Sequence, residues 1–341
     1  MPIKNQYFCF AIILIAFCTQ GYSQDVHFSQ RLAADKQRNA AFTNSFEGNW
    51  QAMTVYRQQW SSIGEPFTTS TLFFTKQFYS PIPKLKYFGG LQLTYDKSGD
   101  AQLTSTQFIL NLGASYQLNR NVFTFAIANG FVLKSFNQNG LTFPEQYDRN
   151  IGGFNENLAS GENFNAQDLN YYDLGLGGTW ERELNKTWSL TSGFSMAHLT
   201  EPQESFYDAD NKKNLGYGFQ FVAEHLLNPS INIYPYLSFY RAKGASETIL
   251  GSAVLFNTSA FGPIENIKPF LYVRTGIDRL SDAIILGSYA DIGNFQLGAS
   301  YDINVSELEF ASNYQGGFEL SLIYTAKNKE LEQRRIPCIR Y

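Results

Sequence analysis

Beyond its first two dozen positions the chain has no apolar run of about 18 residues, which excludes a bundle of membrane-crossing helices. Cysteine is nearly absent. Cys9 and Cys18 lie in the N-terminal apolar stretch, and only Cys338 lies beyond it. One remaining thiol can build neither an intramolecular disulfide framework nor a cysteine-based metal site. The three histidines, His27, His198 and His225, are isolated, with no His-x-x-x-His pair for a metal and no Gly-x-Ser-x-Gly elbow for a nucleophile. The expectation is a protein without cofactor or metal and without enzymatic activity. A basic surplus is missing too. With 26 Lys and Arg against 30 Asp and Glu, the formal net charge of -4 sets nucleic acid aside as a partner.

What the chain has instead is aromatic side chains, 16% of its 341 residues, with Phe 30 and Tyr 21 beside Gly 27. Its mean hydropathy is nonetheless slightly negative. Aromatic, glycine-rich and only mildly hydrophobic is the composition of a membrane β-barrel. The N-terminus reads as a secretory signal, residues 1–24. Lys4 precedes the apolar stretch 8–18, small or polar residues follow at Gly21, Ser23 and Gln24, and cleavage is expected between Gly21 and Asp25. That stretch falls short of the roughly 20 residues a spanning helix needs. Phe17 ahead of Cys18 argues against a lipoprotein, which needs a small residue there.

Period-two alternation recurs along the rest of the chain. Phe123, Phe125, Ile127, Phe131 and Leu133 share one face, while Thr124, Ala126, Ala128 and Gly130 share the other. Large apolar side chains facing lipid and small or polar ones facing a lumen explain this pattern. Such segments fall near residues 48–60, 69–79, 86–96, 103–117, 121–134, 169–182, 186–198, 216–227, 231–242, 249–258, 267–275, 281–289, 293–303 and 315–325. They predict an all-β fold, a single transmembrane antiparallel β-barrel of about 14 strands, with 12 or 16 the alternatives.

Loop lengths support the barrel. The longest connections, 135–168 and 199–215, both follow odd-numbered strands, whereas 118–120, 183–185 and 227–230 are tight turns after even ones. The connection 257–266 breaks the pattern without explanation. A soluble β-sandwich is the rival fold, but the segments exceed the usual five or six residues and no linker divides the chain. The expected organisation is a periplasmic N-terminal segment 25–46, a barrel 47–326 and a charged periplasmic tail 327–341, with both termini in the periplasm.

Few positions suggest a ligand. Asp208, Asp210 and Asn211 are similar to part of a calcium loop, but Lys212 stands where an oxygen ligand belongs and the required glycine is missing. Residues 150–165, rich in Gly and Asn with Phe154 and Phe164, read first as a flexible external loop and second as a partner contact.

Four short motifs carry a family resemblance: Asp25-Val26-His27-Phe28-Ser29-Gln30; Tyr56-Arg57-Gln58-Gln59-Trp60 followed by Pro66-Phe67-Thr68-Thr69; His198-Leu199-Thr200-Glu201-Pro202; and Pro337-Cys338-Ile339-Arg340-Tyr341. In order and position they resemble the PorP/SprF family, outer-membrane proteins of the type IX secretion and gliding machinery of Bacteroidota. Two departures mark a divergent member. Asn39-Ala40-Ala41 stands where the family has Asn-Pro-Ala, and Pro337-Cys338 where it ends in Cys-Pro.

The resemblance implies a barrel in the outer membrane, contacting membrane lipid, that helps export or hold secreted surface proteins such as gliding adhesins. Its partners would be that protein and components of the type IX machinery. Candidate partner-binding or motif residues are Tyr56, Arg57, Gln59, Trp60, His198, Pro202 and Cys338. Arg57 and Trp60 read either as a lumen arginine with an interfacial aromatic or as a contact that shapes the lumen or docks a partner. His198 and His225 read as ordinary wall residues, and Cys338 as a periplasmic contact point. The alternative function is a channel or transporter for a small solute, which needs an unobstructed lumen.

Overall fold

A computed structural model describes residues 26–62, 64–99, 102–137, 141–155, 157–161, 168–206, 210–258, 262–277, 281–307 and 309–326. The expected signal segment, the C-terminal tail with Cys338, and Asp208 lie outside the described residues. Fourteen long strands close into one antiparallel barrel. They are β1 (Trp50–Gln59), β2 (Phe67–Tyr79), β3 (Leu85–Ser98), β4 (Leu103–Leu118), β5 (Asn121–Ser135), β6 (Asp168–Glu183) and β7 (Trp188–Ala197). The second half is β8 (Gly216–Asn228), β9 (Ile231–Ala242), β10 (Ala245–Asn257), β11 (Asn266–Thr275), β12 (Ala283–Ile292), β13 (Phe295–Asn304) and β14 (Gln315–Ala326). Each pairs with its sequence neighbours, and β1 closes on β14 from Trp50↔Ala326 to Gln59↔Gly317. Closure leaves no strand edge to be stranded in hydrocarbon.

The alternation sorts the side chains as expected. On β5, Phe125 is 69% exposed and Ile127, Phe131 and Leu133 are also exposed, whereas Thr124, Ala126 and Val132 are buried. Inward positions on β2 to β4 are mostly polar, with Thr71, Thr75, Gln92, Thr94 and Asn111 all buried beside Phe73 and Phe88. The opposite wall is different. Val222, Tyr236, Ile249, Phe270, Tyr272, Ile285 and Tyr289 form an inward aromatic and aliphatic cluster across β8 to β12. This part of the lumen is therefore lined to receive something apolar.

All fourteen expected segments fall on strands. The clearest shift is β10, which begins at Ala245 rather than 249 because only Lys243 and Gly244 separate it from β9. Gly244 takes φ 79°, a left-handed conformation that glycine adopts without strain. One barrel end carries the tight turns 119–120, 229–230 and 293–294, and the other carries the long connections 136–167 and 198–215. The connection after β10 is the long exception at the short-turn end. Thr258 explains it by continuing the pairing, donating its N–H to the Glu265 carbonyl and its hydroxyl to that of Ile264.

Residues 26–46 differ from the expectation of an extension lying in the periplasm ahead of the barrel. They sit inside it. Helix α1 (Arg31–Arg38) and a 3-10 turn (Ala40–Asn44) cross the lumen, with Phe28, Ala33, Ala34, Ala41 and Phe42 buried. Few long apolar side chains occur in this stretch, so its burial could not be read from hydropathy.

Ile127 lies near the middle of β5 and faces outward. Arginine at such a lipid-facing position costs about 2–4 kcal/mol. Ile127→Arg is expected to lower unfolding stability by that amount in urea titrations of protein folded into lipid vesicles, whereas Ile127→Leu is expected to change little.

Candidate functional site

The lumen segment is seated at three points. The first is a charged cluster toward the long-loop end. Arg57 on β1 places Nη2 3.0 Å from Asp302 Oδ2 on β13 and Nη1 2.5 Å from Glu319 Oε1 on β14. Arg274 on β11 joins with Nη2 2.9 Å from Asp302 Oδ2 and Nε 2.6 Å from Asp282 Oδ2. Ser29 sits at the centre. Its hydroxyl donates to Asp302 and accepts from Arg57 and Arg274, while its backbone N–H donates to Glu319 at 2.6 Å. Gln30 adds a backbone N–H to the other Glu319 oxygen at 2.8 Å and receives the Ser321 hydroxyl on its side-chain carbonyl. Charged groups this deeply buried persist only when paired and hydrogen-bonded, as these are.

The second point is helix α1. Arg31 pairs with Asp35 one turn along, and Asp35 accepts the Tyr236 hydroxyl from β9 at 2.7 Å. Lys36 turns its ammonium back onto the carbonyls of Phe42 and Thr43, closing the segment on itself. Arg38 reaches Glu247 on β10 at 2.7 Å.

The third point is Asn39, fully buried where the helix ends. Its side-chain oxygen accepts the Ala41 N–H and caps the 3-10 turn. Its amide donates to the carbonyls of Gly178 on β6 and Phe194 on β7 and to the Gln220 side chain on β8. Two wall glycines make room for it. A Cβ on Gly177 would run into the Asn39 side chain and the backbone of Ala40 and Ala41, and one on Gly193 would meet Phe42. Neither glycine has positive φ, so close backbone approach explains them.

Two chambers flank the segment. The one toward the long loops has about 160 Å³ and is lined in part by His27, Lys36, Asn111, Asp173 and Glu247. The one toward the short turns has about 390 Å³ and is lined in part by Leu32, Phe46, Lys268, Asp291 and Gln296.

The motif residues divide between the charged cluster, the membrane face and the loops. Arg57 is inside the cluster, and Gln59, on the same face, accepts from its Nε at 3.2 Å. Tyr56 faces outward. Trp60, just past the end of β1 at φ 64°, stacks on Phe67 with centroids 6.0 Å apart. His198 and Pro202 belong elsewhere. His198 follows β7 and bonds Asp173 on β6 through Nδ1 at 2.6 Å, and Pro202 accepts the Lys213 N–H, so both shape the long connection after β7. His225 stacks on Trp188 at 4.1 Å. No group of three His, Cys, Asp or Glu side chains suited to a metal occurs among the described residues.

Sequence reasoning passed over Ser29, Asn39, Arg274, Asp302 and Glu319. Ser29 and Asn39 stood in motifs already noted. The other three are charged residues at inward positions of strands, where a buried charge needs a partner.

A family model described as type IX secretion system membrane protein PorP/SprF matches residues 20–324. The chain belongs to this family. Membership and barrel together place it in the outer membrane, alongside the type IX secretion machinery. No curated protein matches the chain. Among solved structures, the monoaromatic hydrocarbon channel CymD is similar at 9% identity, covering 89% of this chain and 95% of its own, with a TM-score of 0.49. A TodX monoaromatic hydrocarbon channel mutant is 8% identical, with 89% and 95% covered and a TM-score of 0.47. A Pseudomonas aeruginosa FadL homologue is 9% identical, with 84% and 92% covered and a TM-score of 0.46. Similarity this low says nothing of what this PorP/SprF protein binds or passes.

Asp302 pairs with two arginines, and removing one partner of a buried ion pair typically costs about 3–5 kcal/mol. Asp302→Ala is expected to lose stability in that range in vesicle unfolding titrations. Asn39→Ala is expected to act on the segment instead, raising amide hydrogen exchange across residues 29–46 while the strands keep wild-type protection.

Proposed function

We propose that this barrel is a nonenzymatic accessory and anchoring component of type IX secretion that holds secreted proteins, such as gliding adhesins, at the cell surface. The short-turn end, from which β14 leads into the tail, faces the periplasm and the secretion machinery, and the long connections face outward. One observation favours this over a solute channel: residues 28–46 are hydrogen-bonded and packed into the lumen from β1 to β14. An open pore passing solute would have to expel them. Family membership supports the connection to secretion, and the external connections ordered by His198 and Pro202 offer a surface to an exported partner.

Deleting the gene is expected to release surface adhesins into the medium or block their export, as judged by surface labelling and secreted-fraction blots. Purified protein is expected to be electrically silent in planar bilayers. Unchanged surface proteins together with steady conductance would establish the channel instead.

A further inference from the structure

The lumen holds residues 26–46 in a way that suits exchange. Around Ser29 the wall is self-sufficient in charge. Arg57 is held by Asp302 and Glu319, and Arg274 by Asp302 and Asp282, all of them strand or wall-loop residues. The segment adds only neutral groups there, the Ser29 hydroxyl, two backbone N–H groups and the Gln30 amide, so its departure would leave neither arginine without a carboxylate. Its own charges are largely internal, with Arg31 on Asp35 and Lys36 on carbonyls of the same segment. Among the described residues a single ion pair, Arg38–Glu247, joins segment to wall. The fourteen strands meanwhile hold one another by continuous pairing that does not involve it.

The seat also reads features that another polypeptide can present. Glu319 takes main-chain N–H groups, which every chain except at proline offers. Gly177 accepts a close backbone with an asparagine side chain, and Gly193 gives room to an aromatic ring. Charge completes the match. Residues 26–46 carry Arg31, Lys36 and Arg38 against Asp35, a formal net of +2. The wall groups of the charged cluster together with Glu247, that is Arg57 and Arg274 against Glu247, Asp282, Asp302 and Glu319, carry a formal net of −2.

We propose that this seat is a polypeptide-binding site, and that a net-basic segment of the secreted partner exchanges there with residues 26–46. The identity of the partner as a secreted protein rests on the function proposed above; the exchange itself does not.

The direct test uses the full chain and a labelled synthetic peptide of residues 26–46 as probe. A tethered segment competes at an effective concentration of order mM, so its hold is first weakened by Asn39→Ala. The weakened chain is expected to bind the peptide saturably, at least tenfold more tightly than the unaltered chain does. A disulfide between Thr43→Cys and Gly90→Cys, whose side chains would meet, is expected to abolish that binding, and reductant to restore it. Cys338→Ser removes the remaining mature thiol. Absence of saturable binding by the weakened chain, or binding undiminished by the lock, overturns the proposal.

In cells, the oxidised lock is expected to reduce surface attachment at least tenfold. A control disulfide within the wall, Thr71→Cys with Thr94→Cys, whose hydroxyls lie 3.0 Å apart, is expected to leave it unchanged. If gene deletion alters attachment and the locked chain still supports it fully, exchange fails and anchoring stands. If deletion changes nothing, anchoring fails, and the peptide measurement still decides exchange.

Discussion

In hydrocarbon no water replaces a missing hydrogen-bond partner, so each backbone amide of a spanning segment must be satisfied inside the sheet. Everything else in this molecule depends on that constraint. It turns alternating segments into strands paired on both sides, and it brings β1 onto β14 although nearly the whole chain lies between them. Once the sheet has closed, one face of every strand meets lipid and the other meets an enclosed space. Side chains such as Phe125 and Thr124 can be adjacent in sequence and live in opposite environments.

Closure solves the edge problem and creates an interior one. A barrel of this width encloses more space than its own side chains fill, and the wall lines that space with buried carboxylates and guanidinium groups. The chain's N-terminal segment meets both needs. It brings Phe28 and Phe42 as apolar bulk, Ser29 and Gln30 as neutral hydrogen-bonding groups that fit between charges without adding to them, and Asn39 as a donor to neutral groups of the wall. Neutral donors suit such a position, since a further charge in the cluster would itself require compensation.

The family motifs gain a physical meaning from this arrangement. Arg57 in the first-strand motif and Ser29 and Gln30 in the N-terminal motif are separated in sequence, yet they meet at Glu319 and Asp302. Asn39, noted only for the alanine that follows it, is the group that ties the segment to three strands of the wall. The motif around His198 serves a different end, ordering a long connection through Asp173.

Period-two alternation over segments longer than ordinary strands, without a long apolar run, was enough by itself to point to a membrane barrel and to all fourteen of its strands. Those are local properties, and each strand's two faces are written in consecutive residues. Turn chemistry was less legible, as the two-residue turn at Gly244 shows. The filled lumen was not legible. Residues 26–46 are polar and rich in alanine, and no local rule distinguishes a soluble extension from a plug. Their fate depends on Glu319, Asp302 and Gly177, hundreds or scores of residues away, arriving at the same depth once the sheet has closed. Only tertiary structure could decide that, because the seat does not exist until every strand is in register.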